Sequence, residues 1–123
     1  MEKVTRFEEL RCWQAARILV RKVFMYTTTG ELAKDRDTRS QVRRAALSVM
    51  NNIAEGFNRF SDKEKIRFLE ISASSGTEVK SMLYLFEGLN LLPKETIEEL
   101  RSETDKTINQ TFGFIRYLKS KDK

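Results

Sequence analysis

The stretch QVRRAALSVMNNIAEGFNRFSDKE, residues 41–64, decides the fold class. Val42, Ala45, Ala46, Val49, Met50, Ile53 and Phe57 recur at i, i+3, i+4 and i+7, the spacing of one buried face of an α-helix. Gly56 marks the end of that helix. The link Asn58-Arg59-Phe60 is short, so the next helix must return antiparallel to it. Ser61 to Glu64 has the form of a capping box, in which the serine and the glutamate each satisfy an orphan amide. Two amphipathic helices joined this tightly are a helical hairpin.

The same logic extends outward. A first predicted helix runs from near Phe7 to Thr28, where Thr27-Thr28-Thr29 weakens helicity and Gly30 supplies a left-handed cap. Glu31–Asp37 is expected as a loop, with Asp37 or Thr38 capping the second helix. On the third, Ile66, Leu69, Ala73, Gly76, Val79, Leu83 and Phe86 carry the pattern toward Asn90, on the order of 40 Å at 1.5 Å per residue. Its middle, Ser72-Ala73-Ser74-Ser75-Gly76, is small enough for a neighbour to approach closely, although Gly76 costs about 1 kcal/mol of helix propensity. Pro93 suits the first turn of a fourth helix, and Glu95, Glu98 and Glu99 complement its positive start. Ile97, Leu100, Ile108, Thr111, Ile115 and Leu118 form its inner stripe, with Lys119, Lys121 and Lys123 after them. The expected architecture is all-α, an antiparallel up-down four-helix bundle occupying residues 1–123 as a single domain.

Composition narrows the function classes. The 123 residues suffice for a core without metals or disulfides. Cys12 is the single cysteine, so an intrachain disulfide is excluded and a cytoplasmic location is expected. Beside Trp13 in an apolar stretch it reads as a small buried hydrophobe. Histidine is absent, which removes the commonest general base and metal ligand. No apolar run is long enough to span a membrane, and MEKVTRFEEL lacks a secretory signal's apolar stretch. The glycines are too scattered for a phosphate loop, and no Glu-x-x-His pair marks a carboxylate metal centre. No catalytic residue, metal site or cofactor is therefore expected, and the chain reads as a non-enzyme.

Charge is the strongest functional hint. The net charge is +5, and residues 1–59 hold all of it, 12 Lys/Arg against 7 Asp/Glu. Nine basic residues lie between Arg11 and Arg44, opposed by Glu31, Asp35 and Asp37. Either this excess serves a polyanionic partner or it is ordinary solubility charge on helix surfaces. As a nucleic-acid surface it would comprise Arg11, Arg17, Arg21 and Lys22 on the first helix. Arg36, Arg39, Arg43 and Arg44 would add to it from the loop and the start of the second. Arginines suit a helix start poorly, because the dipole there favours acids.

Two further patterns call for explanation. Arg44, Ser48, Asn51 and Glu55 lie at i, i+4, i+7 and i+11, opposite the apolar stripe of the second helix and flanked by Arg43 and Asn52. Asn51-Asn52 is poor mid-helix material, since asparagine competes for backbone hydrogen bonds. The group is either a hydrogen-bonding surface for a partner or a plain solvated face. The first helix also carries too much apolar surface: Leu10, Cys12, Trp13, Ala16, Leu19, Val20, Val23, Phe24 and Tyr26 cover an arc of roughly 200°. The third adds Phe68, Ile71, Met82 and Leu85 beside its inner stripe. Such a surplus marks a subunit interface or helices that lie centrally in the bundle.

Gln41 to Phe57, with Arg59 and the Ser61–Glu64 cap, resembles the four-helix bundle proteins associated with 23S rRNA intervening sequences. These are also classed as ribosomal-protein-like, and accessory proteins of diversity-generating retroelements are similar in fold. The likeness reaches back through Phe7, Leu10, Trp13, Ala16 and Tyr26-Thr27, and forward to Phe68-Leu69, Ser75 and Glu78. It is weakest in the fourth helix. Where that family tends to read Ala-x-Gly-Ser, this chain has Ser72-Ala73-Ser74-Ser75, so different packing is expected there. The resemblance implies a homopentameric ring, association with RNA or DNA, and no catalytic activity. Two function classes follow: a basic oligomeric module that binds nucleic acid, or a structural adaptor whose partner is another protein.

Overall fold

A computed structural model describes residues 4–121. It is all-α: four long helices, a one-turn helix and a short 3-10 turn, with no strand among the described residues. The long helices are α1 (Arg11–Tyr26), α3 (Arg36–Phe57), α4 (Asp62–Gly88) and α5 (Lys94–Ser120), and α2 is the single turn Glu31–Lys34. Each long helix packs between two others, in the cycle α1, α3, α4, α5 and back to α1, so α1 and α4 sit diagonally. Ser48 meets Ser75 while Gly56 meets Phe68; Lys80 meets Asp105 while Asp62 meets Lys121. Among the described residues, no helix is long and apolar enough to cross a membrane. Lys123 lies outside the described residues.

The boundaries correct several sequence expectations. Phe7–Glu9 is a 3-10 turn rather than the start of α1, and Leu10 breaks the chain at an extended φ −73°, ψ 131°. The Leu10 side chain is buried there, so the entry to α1 is anchored by packing. Gly30 does not cap α1: it precedes α2 at φ 83°, ψ −165°, a conformation essentially confined to glycine. Residues 31–34 are helical rather than loop because Leu32 is fully buried in the core. Asp35, not Asp37 or Thr38, caps α3, its carboxylate accepting from the Thr38 amide at 3.1 Å. The α4 start shows half of the expected box, with the Glu64 amide donating to Ser61 Oγ at 3.1 Å. Its end is a Schellman motif, in which Asn90 at φ 55° lets the Leu91 amide reach Phe86 O at 2.9 Å.

The apolar stripes expected from the spacing converge inside. Leu19, Val23, Val42, Leu83, Phe86, Ile97 and Leu100 fill one end. Leu10, Cys12, Ala16, Val49, Ile53, Leu69, Ile115 and Leu118 fill the other. Between them the helices come close at Gly76, where a methyl group would lie 2.8 Å from Ile108 Cγ1. Most of the surplus arc of α1 is buried within its own chain; Ile18 and Met25 stay exposed. On α4, Ile71, Tyr84 and Leu85 are exposed as well. Ile53 is fully buried and Glu55, two residues on, is exposed. Ile53→Ala should cost about 2–5 kcal/mol in urea melts, whereas Glu55→Ala should shift the midpoint little; matching melts would contradict this helix phase.

Candidate nucleic-acid interface

An arginine offered to a phosphate must be unbraced, and the fold sorts the eight candidate cations on that basis. Lys22 points from α1 to α5, where its Nζ lies 2.9 Å from Glu99 and 2.8 Å from Glu103. The Tyr26 hydroxyl also donates to Glu99, at 2.6 Å. That hydroxyl first, and Lys22 second, hold the Glu99 carboxyl below its ordinary value, while Glu103 and then Glu99 raise Lys22. Lys22 is thus a brace between helices.

Arg43 is braced as well. Its Nε donates to Thr27 Oγ1 at 2.8 Å and its Nη2 to Phe24 O at 3.3 Å, and the guanidinium stacks 4.5 Å from the Phe24 ring. Those bonds occupy the carbonyl left open at the C-terminal end of α1, and Thr27 is itself buried. Arg39 donates to Ala33 O at 3.0 Å and so fastens α2 to α3. The Arg39 and Arg43 contacts explain why these two arginines occupy positions toward the start of a helix that its dipole disfavours.

The remaining five candidates are exposed: Arg11, Arg17, Arg21, Arg36 and Arg44. None has a carboxylate within ion-pair distance among the described residues. Arg17 and Arg21 line a shallow groove between α1 and α3 with Trp13, Gln14, Val20, Met50 and Glu8. The Arg17 guanidinium stands 5.9 Å from the Trp13 ring, so an aromatic surface does adjoin these cations. Arg11 faces the other way, into a groove between α1 and α5 lined by Gln110, Phe114 and Tyr117. Arg36 opens α3, and Arg44 falls on its outer side.

The polar group on α3 divides in the same manner. Ser48 and Asn52 turn toward α4: Ser48 Oγ and Ser75 Oγ lie 2.8 Å apart, and the Asn52 amide donates to Ser48 O and Oγ. Asn51 and Glu55 are exposed. Ser72, absent from the sequence reading of the site, donates to Val49 O at 2.7 Å in the same seam. Only the pairing of small hydroxyls on two helices could have hinted at that.

No group of three or more His, Cys, Asp or Glu among the described residues stands close enough to hold a metal ion. Burial pushes the Cys12 thiol up to about 11, so it is neutral at physiological pH.

Comparisons with known proteins give the family and the fold. A family model described as 23S rRNA-intervening sequence protein matches residues 8–113. The fold also matches a crystal structure from Bacteroides thetaiotaomicron, a protein of unknown function from the S23 ribosomal protein family. The TM-score is 0.74 at 19% identity, covering 85% of this chain and 97% of that one, a likeness of fold. No curated protein matches.

Two outcomes check the sorting. Arg43→Ala should destabilise the chain by about 1–2 kcal/mol, through lost charge-assisted hydrogen bonds, while Arg44→Ala stays within about 0.5 kcal/mol in the same melts. The Glu99 contribution should be present above the ordinary glutamate value of 4.5 and be lost as pH falls through the lowered folded value. The difference in melting temperature between wild type and Glu99→Gln should therefore shrink on acidification below that value. A gap independent of pH would show that the carboxylate charge is not what matters.

Proposed function

The chain belongs to the 23S rRNA-intervening sequence protein family, and from that premise we propose that it is a non-enzymatic oligomeric module that binds RNA or DNA through a basic surface. The four long helices form an antiparallel up-down bundle, a rigid carrier for that surface. One observation carries the reading: five exposed arginines, Arg11, Arg17, Arg21, Arg36 and Arg44, have no carboxylate in ion-pair range among the described residues. Free guanidinium groups bind phosphates bidentately and release condensed counterions on contact. The family's printed description, which ties it to 23S rRNA, points the same way. The absence of histidine and the neutral, buried Cys12 support a role without catalysis, and the lone thiol suits the cytoplasm.

Assembly follows from the two exposed apolar faces. Ile18 and Met25 lie on the outer side of α1, and Ile71 and Leu85 on the outer side of α4. Because α1 and α4 sit diagonally, these faces look away from each other. A copy that offers its α1 face to the α4 face of the next makes a head-to-tail contact, which closes into a ring when the rotation allows. Five copies is the ring size implied by the family resemblance. Repetition of the arginines around such a ring would turn weak single contacts into useful avidity.

Fluorescence anisotropy with labelled RNA and DNA tests the binding. Affinity should fall steeply between about 50 and 200 mM salt and drop further in an Arg17/Arg21/Arg44→Glu variant that still assembles. Absence of binding at tens of micromolar protein, or no effect of the variant, would leave the protein-adaptor reading in its place. Light scattering should give a mass several times 14.4 kDa, and a monomeric mass at micromolar concentration would remove the ring.

A further inference from the structure

The turn between α3 and α4 presents a phenylalanine to water with nothing covering it. Phe60 is 101% exposed, the most exposed of the large apolar side chains. The turn around it is held from both sides. The Arg59 guanidinium stacks 4.4 Å from the Phe68 ring, and Lys65 Nζ lies 5.5 Å from the Phe57 ring. Ser61 caps α4 through the Glu64 amide, and Asp62 meets Lys121 at 3.7 Å. The chain has an apolar interior within reach of this turn, and its neighbours Phe57 and Phe68 are half-buried there. Phe60 alone points out.

Directly beyond the turn, α4 and the end of α5 form a groove of about 640 Å³ lined by Lys63, Glu64, Ile66, Arg67, Glu70 and Lys119. Three cations face two carboxylates there, and Glu64 is already engaged by the Ser61 hydroxyl at 3.5 Å. Lys63, Arg67 and Lys119 are exposed and have no ion-pair partner among the described residues. Phe60 and Lys63 are three Cα–Cα steps apart, so their Cα atoms are at most about 11 Å apart. An exposed ring beside a basic groove is the combination that holds single-stranded nucleic acid: the ring takes the face of an unstacked base and the cations take the flanking phosphates. A duplex, whose bases are already stacked, offers the ring nothing.

We propose that Phe60, with Lys63, Arg67 and Lys119, forms a stacking site for single-stranded nucleic acid at the α3–α4 end of the molecule. This rests on the nucleic-acid reading above and adds strand selectivity to it. The site is distinct from the α1 and α3 arginines, since Arg17 and Arg21 line the groove on the other side of α3.

The test titrates labelled single-stranded RNA of about 20 nucleotides, longer than the roughly 4–16 that comparable sites cover, and the same sequence as a duplex, at low salt. Phe60→Ala should weaken single-strand binding about tenfold, the loss of one stacked base, and leave the duplex nearly unchanged. Phe60→Trp should retain it, and Lys63/Arg67/Lys119→Glu should abolish the single-strand preference. Wild-type binding that is unaffected by Phe60→Ala overturns this site while the proposed function stands. If the wild type binds neither form, both fall. The proposal also falls if Phe60→Ala changes only the mass by light scattering, which makes the ring a subunit contact. It falls equally if that variant loses only binding to anionic phospholipid vesicles.

Discussion

Close approach of the helices at Gly76 is the constraint on which the rest of this structure depends. A side chain there would meet Ile108, and Val49 stands just beyond. On its other side α4 meets α3 through a seam of serines. Their hydroxyls then need partners. Ser72 finds the Val49 carbonyl and Ser48 finds Ser75, so α4, which presses on Ile108 of α5 at Gly76, is tied by hydrogen bonds to α3 on its other side. A second glycine repeats the device at the end of the hairpin: a methyl group on Gly56 would lie 2.9 Å from Phe68 Cβ. The turn that carries Phe60 is therefore set by the packing of the two helices on either side of it.

The basic character of the first half has two physical origins that composition alone merges. Lys22, Arg39 and Arg43 hold elements together through a carboxylate pair, a carbonyl, and a buried threonine with an aromatic face. Among the described residues the other five cations of the group have no ion-pair partner, and Arg17 stands against the Trp13 ring. A guanidinium already bound to carbonyl and ring gains less from a phosphate than a free one, because it must first give up those bonds. The surface that a polyanion would sense is consequently smaller than the sequence suggests, and it faces more than one direction.

The repeating pattern of apolar residues was legible because burial at helical spacing leaves a signal within a few residues. Val42 through Ile53, Leu69 through Phe86 and Ile97 through Leu118 all line the interior as the spacing predicts. Helix starts and the site were less legible, for a common reason. Asp35 and Asp37 are equally good caps in isolation, and only the burial of Leu32 decides between them. Lys22 and Glu99 stand far apart in the chain, and nothing near Lys22 announces its partner. Thr27 read as a residue that weakens the first helix; it is also the acceptor that turns Arg43 inward. Phe60 carried no periodic signal at all, being a single apolar residue in a turn.

The hydroxyls of α5 behave unlike those of the α3–α4 seam. Thr104, Thr107 and Thr111 are buried, yet each bonds a carbonyl one turn back in its own helix, at Leu100, Glu103 and Thr107. None of these three bonds crosses to another helix. The ion pairs along its flanks, Lys80 with Asp105 and Arg101 with Glu87, join long side chains that can re-form after a small shift. Mechanically, α3 and α4 mesh like toothed racks, whereas α5 is held by Ile108 seated against Gly76 and by the Lys22 and Tyr26 contacts along its edge. A change in the length of the link at 58–61 would draw the serines out of mesh, so the seam that this link joins also sets how long it can be.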